Sequence, residues 1–179
     1  MADAMAAIRG RLPLLLTALA LVALMVGMPT WRYDDRPEFP RYAISTDAFE
    51  AKVDAMVRDH STGAEEDGMP VVHPPPGDVY LLARRWQFYP VLELEAGRSY
   101  RLHVASVDVL HGFHVGDVDV LLVPGAATVV PFNPGASDRP VIQCSEFCGL
   151  RHNRMTAWVR VVPATAAPDQ HQGAAAGAR

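Results

Sequence analysis

Apolar positions follow three rhythms along this chain. The first is unbroken. Leu12 to Met28, LPLLLTALALVALMVGM, is seventeen residues without a charge, preceded by Arg9 and Arg11. At ~1.5 Å per residue such a helix reaches about 26 Å, or about 30 Å if it continues to Trp31, which matches the hydrocarbon thickness of a bilayer. Trp31 and Tyr33 then fall where an interfacial aromatic belt sits. A cleaved signal peptide has a shorter apolar core that ends in an A-x-A-like site. The one such site here, Ala18-Leu19-Ala20, lies in mid-run, so residues 1–31 read as an uncleaved single-span anchor. Either segment sends the remainder across a membrane.

The second rhythm has the helical period. In STDAFEAKVDAMVRDHS, Phe49, Val53, Met56 and Val57 recur at i, i+4, i+7 and i+8, which predicts one amphipathic helix over about 46–59. Ser45 or Thr46 supplies the cap. This helix sits in a connector, residues 32–77, between the proline-broken RYDDRPEFPRY and the acidic, proline-rich TGAEEDGMPVVHPPPG. The second stretch cannot continue a helix and reads as a linker, with His73 solvated within it.

The third rhythm begins at Asp78 and runs to Val162. DVYLLA, VLELEA, YRLHVAS, DVDVLLV, AATVVPF, RPVIQC and MTAWVRVV are short β-rich runs separated by turn signals such as Ala96-Gly97, Pro124-Gly125 and Asn133-Pro134-Gly135. Seven such runs at this spacing predict a mainly β domain, a β-sandwich over 78–163. The remainder, 164–179, is low in complexity and reads as a disordered tail that includes His171.

The 179 residues suffice for one domain plus extras. The net charge of −4 leaves no nucleic-acid footprint. From Pro70 to Pro163 there are eight carboxylates and eight arginines, so long-range steering of a charged partner is expected to be modest.

The cysteines change the picture most. Both lie in CSEFCGLRHNRM, Cys144 to Met155, with His152 and Met155 in the same loop. Thiolate and thioether sulfur with imidazole, and no carboxylate, select copper, zinc or iron–sulfur. Four arrangements answer to this pattern. A disulfide uses Cys144 and Cys148 but leaves His152 and Met155 accidental. Structural zinc takes a thioether poorly, and C-x3-C-x3-H lacks the short C-x2-C spacing. A one-copper carrier uses two His, one Cys and a weak axial Met on a β-sandwich. Cys148, His152, Met155 and a histidine from an earlier strand satisfy it, but Cys144 has no task. Two thiolates bridging two coppers, with one histidine ending each side, give Cys144 a task, and spreading one charge over two metals and two sulfurs reduces the bond changes on electron transfer. The second histidine comes from SVDVLHGFHV, where His111 and His114 follow the strand YRLHVAS. His103 lies in mid-strand, facing solvent or a neighbour.

DVLHGFHV followed by CSEFCGLRHNRM resembles subunit II of haem-copper cytochrome c oxidases, over roughly Tyr80 to Val162 plus the anchor. The resemblance implies a cupredoxin-like Greek-key sandwich behind an N-terminal transmembrane helix. It implies a dinuclear copper centre, CuA, with two copper ions bridged by Cys144 and Cys148. His111 ends one side and His152 the other. Met155 is a weak ligand on one copper and the Glu146 backbone carbonyl on the other, while His114 packs or faces solvent. In some members the side chain at the Glu146 position also reaches magnesium at the boundary with subunit I. The single apolar run here matches the short, single-span branch and leaves magnesium an alternative.

The same resemblance implies an electron-transfer subunit of a respiratory terminal oxidase. It accepts electrons from cytochrome c or a similar soluble donor and passes them to haem in subunit I. The implied location is the bacterial inner membrane, anchored in lipid, with the copper domain on the periplasmic side. In ARRWQFYP, Trp86 and Phe88 occupy the family's aromatic segment and are candidates for receiving the electron, Trp86 as an exposed contact. The chain itself holds no oxygen-reducing site. Two alternatives remain: the CuA subunit of a nitric oxide or nitrous oxide reductase, and a membrane-anchored copper-handling protein. The latter class carries its thiols on a thioredoxin-like scaffold, which this chain lacks.

Overall fold

Alternation of apolar and polar residues from position 77 onward supplies most strands of two sheets whose inner faces are apolar and bury against one another. The computed structural model describes residues 2–33 and 38–165. The first unit is α1 (Ala2–Tyr33), whose stretch Arg11–Met28 is apolar enough and long enough to cross a membrane. The aromatic-belt assignment for Trp31 and Tyr33 concerns side chains outside the description; of the disordered tail expected for 164–179, residues 166–179 also lie outside it, while the Thr165 amide donates to Glu95 at 3.2 Å.

The second unit starts at Phe39. One sheet contains β1 (Arg41–Ala43), β10 (Ala126–Phe132), β7 (Tyr100–Ser106), β4 (Gly77–Arg84) and β5 (Gln87–Tyr89), in that spatial order. The other runs β2 (Ser61–Glu66), β3 (Met69–Val72), β6 (Val91–Glu95), β12 (Thr156–Val162), β11 (Val141–Gln143), β8 (His111–Val115) and β9 (Val118–Leu122). Most neighbours are antiparallel; β4 with β7, β3 with β6 and β6 with β12 are parallel. The seven runs read from the sequence are all strands.

The connector is part of the sandwich, not a spacer before it. β1 pairs with β10, with Arg41 opposite Thr128. Helix α2 (Thr46–His60) is capped by Ser45, whose Oγ accepts from the Ala48 amide at 3.3 Å. It buries Phe49 and Val53 against Leu82, Ala105 and Ala127 on the outer face of the first sheet. Met56 reaches the main core instead.

The stretch read as a solvated linker folds into the β2–β3 hairpin. Its turn is Asp67-Gly68, both at positive φ (51° and 74°), the backbone that a tight two-residue turn requires. His73, expected in solvent, is half-buried, with Nδ1 3.6 Å from Glu93 and Nε2 3.9 Å from Glu95. It lies apart from the cysteines' cluster.

His103 faces neighbours. Asp78 can only accept, so His103 Nε2 donates to it at 2.9 Å, and Nδ1 then accepts from the Tyr42 hydroxyl at 2.9 Å. Arg101 Nε also donates to Asp78, at 2.6 Å. These bonds, Arg101 first, hold the Asp78 carboxyl down to about 2.

Candidate metal centre

The hairpin β11–β12 carries a long loop at one end of the sandwich. Its base is closed by the Cys144 amide donating to the Met155 carbonyl at 3.0 Å, directly before the Gln143–Thr156 pair. Within it a single turn of 3₁₀ helix, His152–Arg154, is held by the His152 amide on Gly149 O (3.0 Å) and the Met155 amide on His152 O (3.1 Å). The loop is therefore fixed at both ends of its ligand-bearing part. Cys144, Cys148 and Met155 belong to the main apolar core, so their sulfurs are withdrawn from water.

Two glycines let this loop settle where it does. Gly149 has φ +123°, a conformation open to glycine. It rests on the Trp86 indole, which an added Cβ would meet at 3.3 Å. Gly112, on β8, lies directly beneath the loop. A Cβ there would stand 1.9 Å from Ser145 Oγ and 2.7 Å from the Glu146 amide nitrogen. Ser145 also donates to Asp119 on β9 at 2.6 Å.

The donor atoms gather around the two sulfurs. Cys144 Sγ is 3.7 Å from Cys148 Sγ, 3.7 Å from His111 Nδ1 and 3.2 Å from the Glu146 carbonyl oxygen. Cys148 Sγ is 3.8 Å from His152 Nδ1 and 3.7 Å from Met155 Sδ. The thiols are free, since a disulfide needs about 2.05 Å. Ligand atoms of His111, Cys144 and Cys148 all lie within 4.8 Å of one another. All six ligand positions named from the sequence thus meet at one place. His114, half-exposed on the same strand opposite Asp119, does not join them.

The His111 ring is completely buried and its tautomer is set from behind. Nε2 lies 2.8 Å from Asp108 Oδ1. A carboxylate accepts, so the ring proton sits on Nε2 and the Nδ1 lone pair is left facing Cys144. Asp108 is held in turn by the amides of Arg85 (2.9 Å) and Val109 (2.7 Å). Burial pushes its carboxyl pKa up, but these amides and the His111 ring outweigh burial and keep it below the usual range. Burial, then the neighbouring Cys144, pushes the Cys148 thiol up to about 11. A metal arriving at neutral pH must therefore displace the Cys148 proton.

The donor set fits copper and fits two ions better than one. Each sulfur has its own imidazole nitrogen and its own weak donor, and the sulfurs neighbour each other. A single copper held by two histidines, one thiolate and the thioether leaves Cys144 and the Glu146 carbonyl without a task, and no carboxylate intrudes to favour a hard cation.

The aromatic candidates divide. Phe88 is 1% exposed and packs edge-on against Phe113 at 6.1 Å, so it offers no surface to a donor. Trp86, expected to be exposed, is half-buried between Gly149 and the Arg151 guanidinium, 5.9 Å from its ring centre. Its Nε1 is buried and unpartnered among the described residues. On the ligand loop it is Phe147 that is exposed, 79% accessible and edge-on to His152 at 5.8 Å. Its place between Glu146 and Cys148 was the signal that sequence reasoning missed.

Comparison with known proteins gives a consistent result. The chain is 32% identical over 80 residues to cytochrome c oxidase subunit 2 of Thermus thermophilus, a match covering 43% of this chain and 59% of that protein. A second subunit 2, from a defined strain of Thermus thermophilus, matches at the same identity over 48% of its length. The chain thus spans about half the length of these curated relatives. No protein-family model matches it. Among solved structures, a rusticyanin variant superposes with a TM-score of 0.50 at 13% identity, covering 72% of this chain and all of that one. The periplasmic domain of cytochrome oxidase subunit II from Bradyrhizobium japonicum gives 0.45 at 19% identity, over 48% of this chain and 83% of that one. The fold is cupredoxin-like, and the family resembled by the sequence is the one to which these curated relatives belong.

Proposed function

We propose that this chain is the electron-receiving subunit of a respiratory terminal oxidase, taking electrons from cytochrome c or a similar soluble donor and handing them to haem in subunit I. The observation that carries it is the pair of buried thiols 3.7 Å apart, each beside its own histidine and its own weak donor. Cys144, Cys148, His111, His152, Met155 and the Glu146 carbonyl would hold a dinuclear copper centre. When bound, that centre supplies a one-electron store shared between two metals and two sulfurs.

The protein's part is to keep this store rigid and dry. The clamp between Cys144 and Met155 fixes the spacing of the sulfurs. Asp108 holds the proton of His111 at Nε2. The core around Met155 excludes water, so little solvent must reorganise when charge arrives or leaves. Trp86, in contact with Gly149, is the proposed place where the electron comes in. Helix α1 would anchor the chain in the cell membrane with the sandwich on the periplasmic side. The Glu146 side chain is exposed and free to meet a magnesium ion at a subunit boundary.

Metal analysis with electron paramagnetic resonance on the copper-loaded chain tests this reading. Two coppers per chain and a signal shared between them are expected. Cys144→Ser should abolish the shared signal. One copper per chain with a blue one-copper spectrum would replace the proposal.

A further inference from the structure

The even balance of charge in the sandwich conceals an uneven distribution. Two segments meet at Trp86: residues 79–92, which include its hairpin, and residues 149–162, which include the ligand loop after Cys148. Neither holds a carboxylate, while together they carry Arg84, Arg85, Arg151, Arg154 and Arg160. Arg85 is paired with Asp108 at 3.3 Å and Arg160 with Glu93 at 3.4 Å. Arg84, Arg151 and Arg154 have no carboxylate partner among the described residues. Arg84 lies over Tyr89 and Arg151 over Trp86. The one carboxylate of the loop is Glu146, directly before Phe147, and Asp119 of β9 is bonded to Ser145. Directly before Arg151 the loop exposes Leu150, 94% accessible, and it also exposes Phe147, edge-on to His152. Large apolar side chains at such exposure, rimmed by charge, mark a surface built for a protein partner.

We infer that this face takes an electron donor whose own docking surface is apolar with a rim of carboxylates, not one ringed by lysines. The inference rests on the proposed function. A cationic rim accelerates encounter with an anionic one and disfavours a cationic one, while the apolar centre supplies contact that salt does not weaken.

The test uses the full-length chain, metal-free and inserted in zwitterionic bilayer discs, with one probe in two forms. These are a lysine-rimmed cytochrome c and the same cytochrome after succinylation, which turns each modified lysine into a carboxylate. Binding is read at about 20 mM and about 200 mM salt. The succinylated form should bind about ten-fold more tightly at low salt and lose most of that advantage at high salt. Arg151→Gln combined with Arg154→Gln should remove the preference. Arg139→Gln, which takes a charge from a groove beside Ser137 and Trp158 instead, should retain it. Arg154→Gln alone should already reduce the preference, and since Arg154 has no ion pair among the described residues it serves if the double variant misfolds. Equal binding of the two forms, tighter binding of the lysine-rimmed form, or an equal effect from Arg139→Gln overturns the inference. Copper stoichiometry and spectrum are separate readouts, so failure here leaves the metal reading standing, and a one-copper result leaves this binding result intact.

Discussion

Asp108 Oδ1 stands 2.8 Å from Nε2 of His111, and this one bond decides which nitrogen of a fully buried imidazole is free to face the thiol of Cys144. Asp108→Ala should therefore weaken copper binding by about ten- to a hundred-fold while the sandwich stays folded. Asp108→Asn should weaken it less, because the amide oxygen still accepts from Nε2–H. A competition titration against a copper chelator measures both, and equal affinities in all three proteins would remove Asp108 from the centre.

Gly112 is the floor under the ligand loop. Gly112→Ala places a methyl group 1.9 Å from Ser145 Oγ, so the loop must lift. The expected cost is about 1–3 kcal/mol of stability, with fewer coppers retained per chain. Adding Ser145→Gly removes the hydroxyl but leaves the Ser145 and Glu146 amide nitrogens, each 2.7 Å from the new Cβ, so rescue should be incomplete. Thermal melts and metal counts on the single and double variants decide it.

Phe49, 1% exposed, meets Tyr80 edge-on at 6.0 Å and fixes α2 to the first sheet. Phe49→Ala should destabilise the domain by about 3–5 kcal/mol, the range for a buried aromatic. Denaturant unfolding of the full chain followed by tryptophan fluorescence reports it. A cost near that of a surface substitution would return α2 to the status of a loosely attached connector.

Asp78 gives the domain an acid-sensitive element. Its folded-state value of about 2, set first by Arg101 and then by His103, lies below the value of about 3.9 for an unfolded aspartate. The carboxylate therefore adds stability above about pH 4, and that contribution disappears as pH falls from about 4 to about 2. Asp78→Asn should lower stability at neutral pH and flatten this part of the acid-unfolding curve. Because the side chain is 41% exposed, the effect should also shrink with added salt.

Much of this was legible in the sequence because period and chemistry spoke separately. The period-two runs gave seven strands, and Phe49, Val53 and Met56 gave α2 with its Ser45 cap. The ligand loop was legible because thiols, imidazole and thioether are scarce and were close together. What stayed hidden were elements too short or too polar to show a period. β8 is five residues interrupted by Gly112, and β2 has no buried residue at all. The turn Asp67-Gly68 was a hairpin signal submerged in an acidic, proline-rich stretch. The task of Asp108 was invisible for another reason: its carboxylate matters through the ring behind which it stands, and nothing in D-V-L-H says which way that ring turns.

Five of the six donors lie between Cys144 and Met155, in a segment closed by its own backbone hydrogen bond. The centre is thus largely a cassette, and only His111 belongs to the host. Transplanting these twelve residues between the corresponding strands of another sandwich that offers a buried histidine with a small residue after it should carry the metal chemistry along. By the same logic, the remaining surface of this domain is free to diverge toward new partners while its inorganic cargo stays the same.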